Sequence, residues 1–382
     1  MKTKVKYVIP DYDNSIVNLS SVVAHRFNVY SPYKPLKINS LNKYKTIIFL
    51  IADGLGYEYL KNTNSFLKAK VARVVTSVFP SSTASAITAI QNAEAPQQHA
   101  LTGWFVHLKE FGAVSVPLKF SPRFGEASYE NFGAKREMIF TGKSITKRMK
   151  KMSFTIYSSD IISKNKLKGR RRTLFYKKGN LNEMLKAVKK ALACKGEKLI
   201  YAYTGIFDSA CHHFGCRSPQ ALRAFQKIEK MIEKLSSEDA LIIVSADHGL
   251  IDTEDAKVIN LNHHENLYSM LSLPLSGDGR EVYCYVKASK AAAFEEYVKK
   301  YLSHACFIYK SEELVKKGFF GRGIPNKKLF DRIGDYTLIC KENYVIIDTL
   351  LNQKLKVHKG NHGGLSREEM LVPVIVIEPK SP

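Results

Sequence analysis

Four short segments of this chain put acidic or imidazole side chains where apolar runs stop: Ile51-Ala52-Asp53-Gly54, Asp208-Ser-Ala-Cys-His212, Ser245-Ala-Asp247-His248-Gly249 and Gly360-Asn-His362-Gly-Gly364. Together they supply three carboxylates and three imidazoles, a mixed oxygen and nitrogen set of the kind that holds two transition-metal ions side by side. Asp208 and His212 are four residues apart, so on a helix both project from one face and can chelate one ion. His362 can complete that site and leave a position open. Asp53, Asp247 and His248 form a second natural group. A pair of ions would clamp the attacking and leaving oxygens of an in-line phosphoryl displacement, which then needs a nucleophile. The turn Phe79-Pro80-Ser81-Ser82-Thr83 supplies hydroxyls. Thr83 opens a helical pattern, where unpaired N–H groups and the helix dipole favour phosphate oxygens, although Ser81 and Ser82 satisfy the same logic.

The elements that must position these residues read as alternating strands and helices. Continuous apolar, β-branched runs at 45–52, 198–204 and 240–245 have the texture of central parallel strands, and helical periodicity covers 82–91, 181–193 and 218–235. The expectation is an α/β fold, an open and mostly parallel central sheet with helices on both faces. In such sheets ligands gather beyond the carboxyl ends of the strands, where Asp53, Asp208 and Asp247 fall. After Asp247-His248 the pattern changes to a strand at 281–287, helices at 290–302 and 311–317, and a Gly-rich turn at 318–323. That stretch reads as a small α+β cap insertion, 256–335, within a catalytic core of 1–255 and 336–382. Runs at 335–340 and 371–377 are expected to rejoin the main sheet.

The motif order resembles the alkaline phosphatase superfamily and, within it, the type I phosphodiesterase/nucleotide pyrophosphatase family. Besides the four segments, Phe79-Pro80-Ser-Ser-Thr83-Ala-Ser-Ala, His99-Ala-Leu-Thr-Gly-Trp104, Arg332-Ile-Gly-Asp335 and His362-Gly-Gly-Leu-Ser-Arg-Glu-Glu-Met carry the likeness over nearly the whole chain. The resemblance implies an alkaline-phosphatase-like core and two divalent ions, zinc first, with manganese or iron accepted by the same donors. It further implies that Asp208, His212 and His362 hold one ion, while Asp53, Asp247 and His248 hold the other with the oxygen of Thr83. Thr83 would attack phosphorus and carry a covalent phosphoryl group. His99 and Trp104 can line the substrate pocket, and a place in the core is an equal reading of both. By the same resemblance the substrate is a small phosphate compound such as a nucleotide. Within the superfamily the alternatives are a phosphomonoesterase, a phosphonate hydrolase or a phosphomutase. The Cys/Ser-x-Pro-x-Arg signature of sulfatases does not occur.

Charge adds a second theme. Lys and Arg outnumber Asp and Glu by 59 to 35, a formal +24, and the excess is densest between Lys143 and Lys178. Such a run is commonly a solvated face, but it can also steer phosphate-bearing ligands or nucleic acid, with binding that weakens in salt. A basic nucleic-acid-binding protein on a retired enzyme scaffold is the reading from another class, and the complete set of six donors argues against it. The bland readings of single motifs are a turn for Asp53-Gly54, a helix face for His213, and a loop for His263-His264. Cys211 and Cys216 have the spacing of half a zinc knuckle but lack a second pair. Six cysteines without a C-x-x-C pair, and an amino terminus without an apolar secretory stretch, lead to a cytoplasmic expectation with reduced thiols. No apolar run approaches the roughly 20 residues needed to cross a bilayer.

Overall fold

A computed structural model describes residues 7–125, 127–159, 171–351 and 357–379. Seven strands make the main sheet: β1 (Thr46–Ala52), β2 (Val71–Thr76), β3 (Met152–Ser158), β4 (Arg171–Tyr176), β5 (Lys198–Thr204), β6 (Leu241–Ser245) and β7 (Leu371–Ile377), in the order β2-β7-β6-β1-β5-β3-β4. β1 pairs in parallel with β5 on one side and β6 on the other. β7 alone runs against its neighbours. Every residue of β1, β5 and β6 is buried, which is why their sequences are unbroken apolar runs with no alternation.

Helices cover the sheet. The first, α1 (Ile16–Arg26), packs with α2 (Thr83–Asn92), and a second group is formed by α3 (Leu181–Leu192), α4 (Ile206–Phe214) and α5 (Pro219–Leu235). The start of α5 follows from its sequence: Ser218 caps it by accepting from Ala221 N–H, and Pro219 takes the first turn, where no N–H is needed. Its apolar residues Ala221, Ala224, Phe225, Ile228, Met231, Ile232 and Leu235 fall on one stripe and are the buried ones. The α4 helix ends at Gly215, whose φ of +90° suits glycine.

A second, four-stranded antiparallel sheet has the order Ser276–Gly277, Glu281–Cys284, Tyr336–Cys340, Cys306–Lys310. Residues 336–340 therefore do not rejoin the main sheet as expected. This strand is central in the smaller sheet, where Tyr336, Leu338 and Cys340 pack with Val282, Phe294 and Leu302, and Ile339 packs with Tyr283 and Phe320. An apolar run buried on both faces is compatible with either sheet, and only pairing decides. The other expected return, 371–377, is β7 of the main sheet. A small three-stranded sheet at 106–122, unread in the sequence, is built on Val106, Leu108, Phe120 and Ile139 and joins the cap through a bridge between Phe105 and Gly277.

Candidate active site

Adjacent strands β6, β1 and β5 end side by side, and each delivers an acid within a few residues of its carboxyl end. Asp53 follows β1. Asp247 follows β6, with His248 beside it. After β5, Gly205 leads into α4, which carries Asp208 in its first turn and His212 one turn on. His362 arrives from the two-residue strand Gly360–Asn361, paired with Ile251–Asp252. Thr83 opens α2, and the turn before it is bridged to the His362 loop through Ser81 and Gly363.

Asp247 and Asp53 share one pattern: the chain holds one oxygen and leaves the other unpartnered. Asp247 Oδ1 accepts from the N–H groups of Gly54 (3.1 Å) and His248 (3.0 Å), and Oδ2 has no hydrogen-bond partner. Asp53 Oδ2 accepts from the hydroxyl of Tyr203, and Oδ1 has none. Two of the imidazoles behave alike, while Nδ1 of the buried His362 has no hydrogen-bond partner. His212 Nδ1–H donates to Gly360 O (2.7 Å) and His248 Nδ1–H donates to Gly249 O (3.0 Å). A carbonyl can only accept, so each ring keeps its proton on Nδ1 and aims the Nε2 lone pair inward. His212 Nε2 lies 3.2 Å from Asp208 Oδ1, and His248 Nε2 lies 3.5 Å from Asp53 Oδ1 and 3.4 Å from Asp247 Oδ2. Lone pairs facing carboxylate oxygens at these distances need a cation between them, so the donor set fits the metal ions expected from the sequence.

Two groups of donor atoms converge closely enough for one ion each: Asp53, Asp247 and His248, and Asp208, His248 and His362. The first is the expected set. In the second His248 stands where His212 was expected, because the His248 and His362 rings stack at 3.9 Å between centroids whereas His212 lies 5.1 Å from His362. Electrostatics records the crowding. Burial and then the charges of Asp247 and Asp208 push the Asp53 carboxyl far above its usual range, against the Tyr203 hydrogen bond. Burial alone would raise Asp208, but the fields of His212, His362 and His248 hold it below the usual carboxylate range. Burial opposes the His212 imidazolium, yet Asp208 and the Gly360 carbonyl raise its pKa. His362 is driven well below ordinary histidine by burial and by His248 and His212.

Of the hydroxyls in the turn from Ser77 to Thr83, that of Thr83 reaches the imidazoles. Thr83 Oγ1–H donates to His248 Nε2 at 3.1 Å. Ser77 donates to Asp247 O (2.5 Å) and Ser81 to Gly364 O (2.8 Å), both buried, so both are spent on the backbone. Ser82 precedes α2 but gives it no side-chain cap, which leaves the first N–H groups of the helix for a ligand. The centre opens into a cavity of about 1310 Å³ walled by Trp104, Phe105, Lys119, Arg123, Tyr176, Lys178, Phe214 and His358 among others.

A family model described as type I phosphodiesterase/nucleotide pyrophosphatase matches residues 47–365. The chain belongs to the type I phosphodiesterase/nucleotide pyrophosphatase family. As a member it is a metal-dependent hydrolase of phosphoric ester or anhydride bonds. No curated protein matches the sequence. Solved structures with the same fold include murine ectonucleotide pyrophosphatase/phosphodiesterase 5 in an inactive form with AMP. It is 16% identical, with a TM-score of 0.65 over 87% of this chain and 88% of that one. The human counterpart is 15% identical, with a TM-score of 0.63 and the same coverages of 87% and 88%. Phosphonoacetate hydrolase from Sinorhizobium meliloti 1021, in complex with phosphonoacetate, is 16% identical, with a TM-score of 0.63 over 88% of this chain and 91% of that one.

Of the two pocket residues expected from family motifs, Trp104 lines the cavity and His99 does not. His99 is fully buried beneath α2, its Nδ1 accepts from Leu101 N–H (3.1 Å), and burial with the nearby Arg332 lowers its pKa to about 3. It is a neutral core histidine. Sequence reasoning missed Tyr203, which sits two residues inside an ordinary strand, and His358, whose ring packs 4.4 Å from His212. Nothing in the sequence marks the Tyr203 hydroxyl. A histidine four residues before His362 was a readable signal for His358. In the basic segment, Lys164, Lys166, Lys168 and Arg170 lie outside the described residues. Arg148 is spent on the carbonyls of Tyr30 and Asn92, Lys151 on Glu197, while Lys178 reaches the cavity.

Proposed function

We propose that this hydrolase is a phosphodiesterase or nucleotide pyrophosphatase that works through a covalent phospho-threonine on Thr83. The observation that carries the reading is the Thr83 hydroxyl at the amino end of α2, 3.1 Å from His248 Nε2. Asp208, His212 and His362 would hold one divalent ion, and Asp53, Asp247 and His248 the other together with Thr83, with zinc as the first choice. Bound there, the ions supply Lewis acidity that lowers the pKa of a hydroxyl and neutralises charge on transferring oxygens.

The chain's own residues do the rest. Tyr203 and the N–H groups of Gly54 and His248 fix the Asp53 and Asp247 carboxylates, so the centre is formed before substrate arrives. Thr83 Oγ1 sits 3.1 Å from His248 Nε2, the atom that would face the ion, so its oxygen stands among the same donors and faces the cavity. The uncapped N–H groups of α2 receive the non-bridging oxygens of the phosphoryl group. As the Thr83 oxygen bonds to phosphorus its hydroxyl proton passes to solvent in the cavity, and the ester or anhydride oxygen departs with its electron pair and takes up a proton there. Water then cleaves the phospho-threonine and restores the hydroxyl. A cavity of about 1310 Å³ exceeds what a bare phosphate needs and suits a substrate with an organic group on each side of phosphorus, such as a nucleotide ester. A nucleic-acid partner through segment 143–178 is not favoured. No helix among the described residues is long and apolar enough to cross a membrane. We keep the cytoplasm as the place of action, where the six free thiols suit a reducing medium, and fractionation checks this.

The test is hydrolysis of bis(p-nitrophenyl) phosphate against p-nitrophenyl phosphate, after chelation and return of Zn²⁺ or Mn²⁺. Preference for the monoester would turn the assignment to a phosphomonoesterase. Intact mass of the chain quenched during turnover should show one added phosphoryl group, absent in Thr83→Ala.

A further inference from the structure

Beside the centre lies a second acidic pair that the proposed mechanism does not use. Asp278 and Glu281 stand where the cap sheet meets α2 and the His362 loop. Glu281 is fully buried, and neither of its carboxylate oxygens has a hydrogen-bond partner. Its sequence neighbour Arg280 cannot serve it. That guanidinium, equally buried, is spent on Glu369 through Nε (3.0 Å) and a terminal nitrogen (2.8 Å), and on the carbonyls of Glu342 and Tyr344. Asp278 Oδ2 accepts from Trp104 N–H (3.0 Å) and lines the cavity.

Glycines let these oxygens pack where side chains would otherwise stand. Three glycines from three separate segments face Glu281: a Cβ on Gly363 would lie 2.3 Å from Oε2, one on Gly277 would lie 3.0 Å from Oε1, and one on Gly103 would lie 3.2 Å from Oε1 and 3.3 Å from Asp278 Oδ2. Glu281 Oε1 and Asp278 Oδ2 thus approach the same face of Gly103. The Ser82 hydroxyl, fully buried and without a hydrogen-bond partner by strict geometry, is close enough to Asp278 to bear on its charge. A buried carboxylate left without a cationic side chain, packed against glycine beside a second acid, calls for a partner of positive charge.

We propose that Asp278 and Glu281, with the Ser82 hydroxyl, hold an alkaline-earth cation, magnesium or calcium, in a site separate from the two-ion centre. The donors are all oxygen, which selects a hard cation over zinc, whereas the neighbouring centre is rich in imidazole. Burial, followed for Glu281 by the charge of Asp278, raises the pKa of both acids, as expected of carboxylates with their counter-ion removed. The cation would join the cap strand Glu281–Cys284, the residue before the Thr83 helix and the loop after His362. It would set the cap against the reacting groups.

The experiment uses the full chain with its two-ion centre loaded with zinc, then titrated with Tb³⁺, an oxygen-seeking probe of calcium sites. Trp104 is the one tryptophan of the chain, and its backbone N–H bonds Asp278, so it should sensitise terbium emission. Saturable emission displaced by Ca²⁺ or Mg²⁺ is expected, lost in Glu281→Gln and in Asp278→Asn and retained in Asp53→Asn. Metal analysis should find one equivalent of the hard cation beyond the zinc in the native chain and none in Glu281→Gln. Melting temperature should rise with Ca²⁺ or Mg²⁺ in the native chain only. A zinc-loaded chain that takes up no hard cation, or emission unchanged in both variants, would overturn the proposal and leave a proton shared by the two acids. Loss of emission in Asp53→Asn alone would place the probe in the two-ion centre and also overturn it. Hydrolytic activity is not the readout, so failure here leaves the assignment of Thr83 standing.

Discussion

Two acidic clusters lie close together in this molecule and are built in opposite ways. Around Asp53, Asp208 and Asp247 each acid meets imidazole lone pairs, and the chain fixes one oxygen of Asp53 and of Asp247 while leaving the other toward an open cavity. At Glu281 the chain fixes neither oxygen, imidazole contributes nothing, and glycines pack against the carboxylate where the first cluster meets a cavity. The first arrangement presents a reactive centre to a substrate. The second encloses charge and suits a structural ion. Residue type decides which cation each prefers, and access decides which can take part in chemistry.

The sharpest break in the comparison is Thr83→Ala, which should cut turnover on the order of 10⁴-fold or more if the hydroxyl is the nucleophile. Thr83→Ser should recover part of it, and equal activity in Thr83→Ala would remove the covalent step. Next is Tyr203→Phe, which leaves Asp53 in place but frees its held oxygen. Loss of such a supporting bond costs about 10–100-fold in metal affinity or activity, readable as the zinc concentration for half-maximal rate. The Glu281 cluster should leave that zinc dependence unmoved.

A pH experiment separates the clusters again. Burial raises the Asp278 carboxyl from the ordinary 3.8 to about 6, with the Ser82 hydroxyl and the Trp104 N–H opposing. The folded chain then binds more protons than the unfolded chain between about pH 4 and pH 6, so stability falls as pH rises through that window, by up to about 3 kcal/mol. Denaturant unfolding should show this slope in the metal-free chain, Asp278→Asn should flatten it, and saturating Ca²⁺ should do the same. A slope untouched by Asp278→Asn would assign it to other acids. The smallest effect expected is at the cavity wall, where Trp104→Ala should raise KM about tenfold with kcat little changed, the scale of one lost aromatic contact.

Much of this was legible along the chain. Strand ends at Asp53 and Asp247, the helical spacing of Asp208 and His212, and the α/β alternation are local patterns, and locally patterned residues fold as their pattern says. The strand at 336–340 was misread, and His99 was left open between pocket and core, for one reason: an apolar run or a motif histidine carries no record of what packs against it. Tyr203 and Glu281 were invisible because their roles depend on a partner more than a hundred residues away or on the lack of one.

The sequence by itself determined the donor inventory, the strands and helices that carry it, and the family to which the chain belongs. Only the tertiary structure decided which hydroxyl of the Ser77 to Thr83 turn faces the donors, since Ser77 and Ser81 are consumed by backbone carbonyls from distant segments. It alone decided that His248 stands between both groups of donors and that Glu281 is left without a partner. Residue type and spacing fix what a side chain can do, but its partners, burial and exposure to water exist only once remote segments close around it.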